Sequence, residues 1–245
     1  MNGGLGCFPT GRHYPGIAHL IRVAAIGVAE EWAADISMNE LPLVCIDTET
    51  TGRDPAVDRV IEVGCVFFER GGVTRRKSWL INPDCAIPAE ATAVHGIKDD
   101  DVRDAPRFEA IASELLEELR GAVPVAYNAQ FDRDFLMAEL GRIELSAADL
   151  PPAFRKGVEW LDPLIWAREL QKDEKSKSLG EVSERLGIQL VRAHRATDDA
   201  EAAVLVLAAF ASDIRVPKTY AAFLQEQRRL GRIFEEERVR WRGGN

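Results

Sequence analysis

Three apolar runs joined by short turns come before the first core helix, and they restrict the chain to folds built around a β-sheet. Leu41-Pro42-Leu43-Val44-Cys45-Ile46 reads as a buried strand that runs directly into Asp47. Val60 to Phe68 is a second strand, Gly71-Gly72 marks a turn, and a third strand runs from Val73 to Ile81. Asn82-Pro83 is turn chemistry that ends it. The second and third strands form a hairpin, and the first joins them in an antiparallel meander.

Beyond this point strands alternate with helices. A helix from Phe108 to Arg120 carries Ile111, Leu115, Leu116 and Leu119 on one face. Val123 to Tyr127 is a fourth strand, and Phe131 to Leu140 another helix. Glu159-Trp160-Leu161 is a short strand entering a helix through Arg168, and helices follow over Leu179 to Leu186 and Asp198 to Ala211. Strands first, then alternation, predicts an α/β fold, a mixed β-sheet flanked by helices. Ile17, Leu20, Ile21, Ala24 and Val28 recur at helical spacing, predicting an amphipathic helix from Ile17 to Asp35. Met38 stands just before the first strand, and one reading makes it the native start. Val216-Pro217 separates the core from a last helical tail.

At 245 residues the chain suffices for one sizeable domain with additions, or marginally for two small ones. Cys7, Cys45, Cys65 and Cys85 lack paired spacing, which suits reduced thiols in a cytoplasmic protein and gives no zinc signal. No apolar run is long enough to cross a membrane, so no membrane association is expected. The net charge of −9 is unusual for a nucleic-acid binder, but carboxylates gathered around cations count in that total, and local field decides phosphate binding. From Ile214 onward the balance reverses to net +4, which fits a solvated helix face or a contact for nucleic acid or a partner.

Three separated segments carry the chemistry: Asp47-Thr48-Glu49-Thr50-Thr51-Gly52, Asn128-Ala129-Gln130-Phe131-Asp132 and His194-Arg195-Ala196-Thr197-Asp198-Asp199. Strand residues two apart face the same way, so Asp47 and Glu49 project together and Thr48 opposes them. Carboxylates held so close repel unless a divalent cation lies between them. Asp132 falls near a helix start, where an acid is favoured whether or not it binds metal. Phe131 is either core or a base-stacking platform. Thr197 or Asp198 is a natural N-cap, which puts Asp199 in the first turn of its helix. His194, among carboxylates, is a candidate general base.

In these segments the chain resembles the DEDDh (DnaQ-like) family of 3′–5′ exonucleases, whose members include the proofreading subunit of the bacterial replicative polymerase. Val94-His95-Gly96-Ile97 is similar to that family's substrate-side segment. The resemblance implies an RNase H-like fold for an exonuclease domain over residues 41–212, and the chain adds N- and C-terminal helical extensions that the family core usually lacks, over residues 1–40 and, as a tail, 213–245. It implies two divalent ions, Mg²⁺ or Mn²⁺, held by Asp47, Glu49, Asp132 and Asp199, with His194 as base. It further implies that Thr50, His95, Phe131 and Asn128 receive the 3′-terminal nucleotide. The expected activity is hydrolysis of DNA from single-stranded or frayed 3′ ends to nucleoside monophosphates, in proofreading or repair, with a DNA polymerase as a further partner. The alternatives are RNA 3′ trimming and a polymerase-associated binding subunit with weak activity.

Overall fold

The computed structural model describes residues 27–143, 150–190 and 195–242. Its centre is a four-stranded mixed sheet of β1 (Leu43–Thr50), β2 (Val60–Glu69), β3 (Gly72–Leu80) and β4 (Val123–Val125), in the order β3-β2-β1-β4. β1 and β3 both pair antiparallel with β2, and β4 pairs parallel with β1, so the meander and the mixed sheet are as expected.

The pleat divides the strand side chains between two hydrophobic layers. Leu43 and Cys45 of β1, with Val66 and Phe68 of β2, enter one layer. Val44 and Ile46, with Val63, Cys65 and Phe67, enter the other. The second layer is closed by α3 (Phe108–Glu118) and α4 (Ala129–Arg142), after two short helices α1 (Ala89–His95) and α2 (Asp99–Val102). The first is closed by α5 (Pro163–Leu170), α6 (Leu179–Arg185), α7 (Ala196–Ser212) and α8 (Tyr220–Arg242). Apolar residues on both faces explain why these strands read as near-continuous hydrophobic runs rather than alternating ones.

Two expectations change. The stretch 159–161 contributes only an isolated parallel bridge, Val125 to Leu161, rather than a strand. The helix expected from Ile17 lies partly outside the described residues. Its described part, 27–35, runs as turns, because Gly27 takes a left-handed φ of 80° and its carbonyl accepts from Glu159 N. This segment still packs on the core, with Val28 and Ala29 buried and Trp32, Ala34 and Ile36 against the same layer. The tail is likewise built in, since Tyr220, Phe223, Leu224 and Leu230 are buried. Among the described residues no helix is long and apolar enough to cross a membrane.

Candidate active site

The two acids of β1 share the α7 side of the sheet. Asp47, Glu49 and Asp199 each place a carboxylate oxygen within 4.8 Å of the others. Three anionic oxygen donors at that spacing fit a hard divalent cation. Electrostatics say the same. Burial, then the charges of Asp132, Asp199 and Glu49, raises the Asp47 carboxyl well above the usual range. Burial, then Asp199 and Glu62, pushes Glu49 up to about 8.

Asp199 reaches the cluster because the first turn of α7 comes down onto the sheet. Gly64 lies directly across from Asp47 in the β1–β2 register, and a Cβ there would stand 2.3 Å from the Ala196 carbonyl carbon and 2.4 Å from Thr197 N. Only glycine admits that approach. Glu62, the partner of Glu49 across the strands, holds the helix end. Its buried carboxylate accepts from Ala196 N at 3.3 Å and from the Arg195 guanidinium at 2.7 and 3.2 Å. The expected cap from Thr197 or Asp198 is therefore corrected. The helix begins at Ala196, its N-cap is Arg195 with no side-chain cap bond, and a strand carboxylate takes the open amide. Both missed residues left a signal, since a lone acid and a glycine inside an apolar strand call for an explanation.

Asp132 approaches from the other face. Thr48, turned away from Asp47 and Glu49 by the pleat, donates both its backbone N–H (2.9 Å) and its hydroxyl (2.8 Å) to Asp132 Oδ1. Asp132 is buried in the first turn of α4, and desolvation, partly offset by those bonds, lifts it to about 7. The strand thus carries acids on one side and anchors a fourth from the other. His194 lies outside the described residues.

A cavity of about 510 Å³ adjoins the acids, lined by Glu49, Thr50, His95 and Phe131 together with Arg53 and Glu90. Phe131 is partly exposed, with its ring 4.8 Å from that of buried Phe135. His95 ends α1, and its Nδ1 accepts from Ile97 N, which leaves the proton of a neutral ring on Nε2. Asn128 is not part of this lining. It stands at the head of α4 with a left-handed φ of 70° and faces a neighbouring groove with Arg133, Asp162 and Arg168.

Sheet, covering helices and carboxylate cluster define the class: an α/β protein with a half-buried acidic centre at the end of its central strand. The exonuclease family model, RNase_T, matches residues 44–207. The DNA polymerase III subunit epsilon of Treponema pallidum is 38% identical over 156 residues, spanning 63% of this chain and 69% of that protein. The 3′-5′ exonuclease DinG of Bacillus subtilis is 33% identical over 198 residues, 80% of this chain but only 20% of DinG. Escherichia coli exonuclease I, solved in complex with a dT13 oligonucleotide, superposes with a TM-score of 0.60 at 19% identity, over 71% of this chain and 41% of that one. Exonuclease X, solved with 5′ overhanging duplex DNA, gives 0.56 at 23%, over 74% and 99%. The chain belongs to the exonuclease family, with the RNase H-like fold of its structural neighbours.

Proposed function

We propose that this protein is a metal-dependent 3′–5′ exonuclease that hydrolyses DNA to nucleoside monophosphates in proofreading or repair. The observation that carries the reading is the convergence of Asp47, Glu49 and Asp199 within 4.8 Å. These residues would hold one Mg²⁺ or Mn²⁺, and Asp132 with Asp47 a second. Bound divalent ions supply Lewis-acid stabilisation to the attacking and leaving oxygens of a phosphodiester. His194, by its place in the third motif, would take the proton from water.

Phe131 would stack on the terminal base without reading it, because every base offers a π-face. Thr50 and His95 line the same cavity and would hold the sugar and phosphate. The name of the Treponema relative supports DNA as substrate, as do the DNA complexes of the two structural neighbours, and the name of the Bacillus relative supports the 3′–5′ direction.

The test is a substrate panel. Purified protein is incubated with labelled single-stranded DNA, mismatched duplex and RNA, each with Mg²⁺, Mn²⁺ or EDTA. Mononucleotide release from DNA 3′ ends, stopped by EDTA, is expected. Faster loss of RNA would replace this reading with 3′ trimming, and no metal-dependent cleavage would favour a binding subunit.

A further inference from the structure

Both segments that flank the family match converge on one short stretch, residues 159–162. From the N-terminal side, Gly27 O accepts from Glu159 N at 2.9 Å. From α8, Arg228 pairs with the Glu159 carboxylate. Gln227, 1% exposed, bonds twice: its Oε1 accepts from Asp162 N at 2.9 Å, and its Nε2 donates to Trp160 O at 2.9 Å.

Asp162 passes this restraint on. Its carboxylate, 9% exposed, accepts from Asn128 N (3.0 Å), Ala129 N (3.1 Å) and Leu164 N (2.9 Å), and so serves the starts of both α4 and α5. The left-handed backbone of Asn128 aims two successive amides at one anion. That conformation is uncommon for a residue with a side chain, and here the Asp162 carboxylate holds it. One turn further along α4 is Asp132, fixed to Thr48.

We infer that Gln227 is a positioning residue for Asp132: through Asp162 it sets the start of α4, so a helix outside residues 44–207 helps to complete the metal site. Gln227 is not among the residues lining the cavity beside the acids and acts through this chain of hydrogen bonds. The inference rests on the reading of Asp132 as a ligand of the second ion. Outer partners that orient ligands matter for affinity even without touching metal.

The experiment uses the full chain, with Mn²⁺ binding by calorimetry without substrate, melting temperature, and steady-state kinetics on a single-stranded oligonucleotide. Q227L should weaken the second Mn²⁺ site and lower kcat by about 10- to 100-fold, with KM nearly unchanged. L230A removes a buried side chain from the same helix, two residues past Arg228, without touching the hydrogen-bond chain. It should lower the melting temperature at least as much while leaving Mn²⁺ affinity at the wild-type value. Wild-type affinity in Q227L, or equal loss in L230A, overturns the inference. If Q227L does not fold, D162N carries the same expectation and the same refutation. A D132A protein that binds both ions as tightly as wild type would instead overturn the ligand assignment itself.

Discussion

Burial, then the charges of Asp199 and Glu62, pushes the Glu49 carboxyl up to about 8 from its ordinary 4.5. A carboxyl whose folded pKa is raised binds its proton more tightly in the folded state than in the unfolded one. Stability from this group is therefore present below the ordinary value and is lost as pH climbs towards 8. Asp132, raised to about 7, acts in the same direction. The metal-free protein should melt at progressively lower temperature between about pH 5 and about pH 8, and Mg²⁺ should restore more at the upper end. A melting temperature that rises over that window in EDTA would contradict the placement of these acids. Asp47→Asn removes one of the repelling charges, so it should melt no lower than wild type without metal at pH 8. It should also lose about three orders of magnitude in kcat, from roughly 4 kcal/mol of forfeited stabilisation. Near-normal turnover would mean that Asp47 is not a ligand. At this scale the sequence was informative for Asp47 and Glu49, whose facing follows from strand period alone. It was silent on Thr48 as an anchor, because its partner lies 84 residues away.

Among elements, the placement of α7 decides whether the cluster exists. Gly64→Ala would drive a methyl into the Ala196–Thr197 backbone, and the helix would have to lift. We expect a cost of about 1–3 kcal/mol in stability, with loss of Mn²⁺ affinity beyond what stability explains. Chemical denaturation and calorimetry on the same preparation would separate the two. Helix α4 is clamped to the start of β2 by Glu139, 1% exposed, which meets Arg59 at 2.8 and 3.0 Å and accepts from Val60 N. Arg59→Ala would leave that buried carboxylate to Arg142 alone, at 3.3 Å, at a cost of about 2 kcal/mol. An unchanged denaturation midpoint would show the pair to be dispensable. Strand runs and most helices were legible from apolar period. The start of α7 was not, because local side chains offered better caps than the distant Glu62 that serves.

For the whole molecule, residues 27–37 and α8 form part of the same hydrophobic layer as the sheet. Ala29 N donates to the Tyr220 hydroxyl, Ser37 bridges Thr219, and Arg155 pairs with Glu30 and Glu31. Deleting residues 1–37 should therefore lower the melting temperature by several degrees, as loss of Val28, Ala29, Trp32 and Ile36 uncovers α8. A deletion protein that melts with the full chain would show this contact to be incidental. In the tail Arg229 and Arg238 pair with Glu226 and Glu235, which the net +4 already counts, and Arg228 pairs with Glu159 of the core. Sequence could count those charges but not see their partners.

The sheet draws its acids from both sides: three from the α7 layer, and one secured by Thr48 from the α4 layer. If these four acids are the ligands proposed above, a chain that has docked only one layer holds an incomplete set, and long-range pairing comes late when loop closure is costly. On that assignment, metal affinity should appear only once both layers have packed.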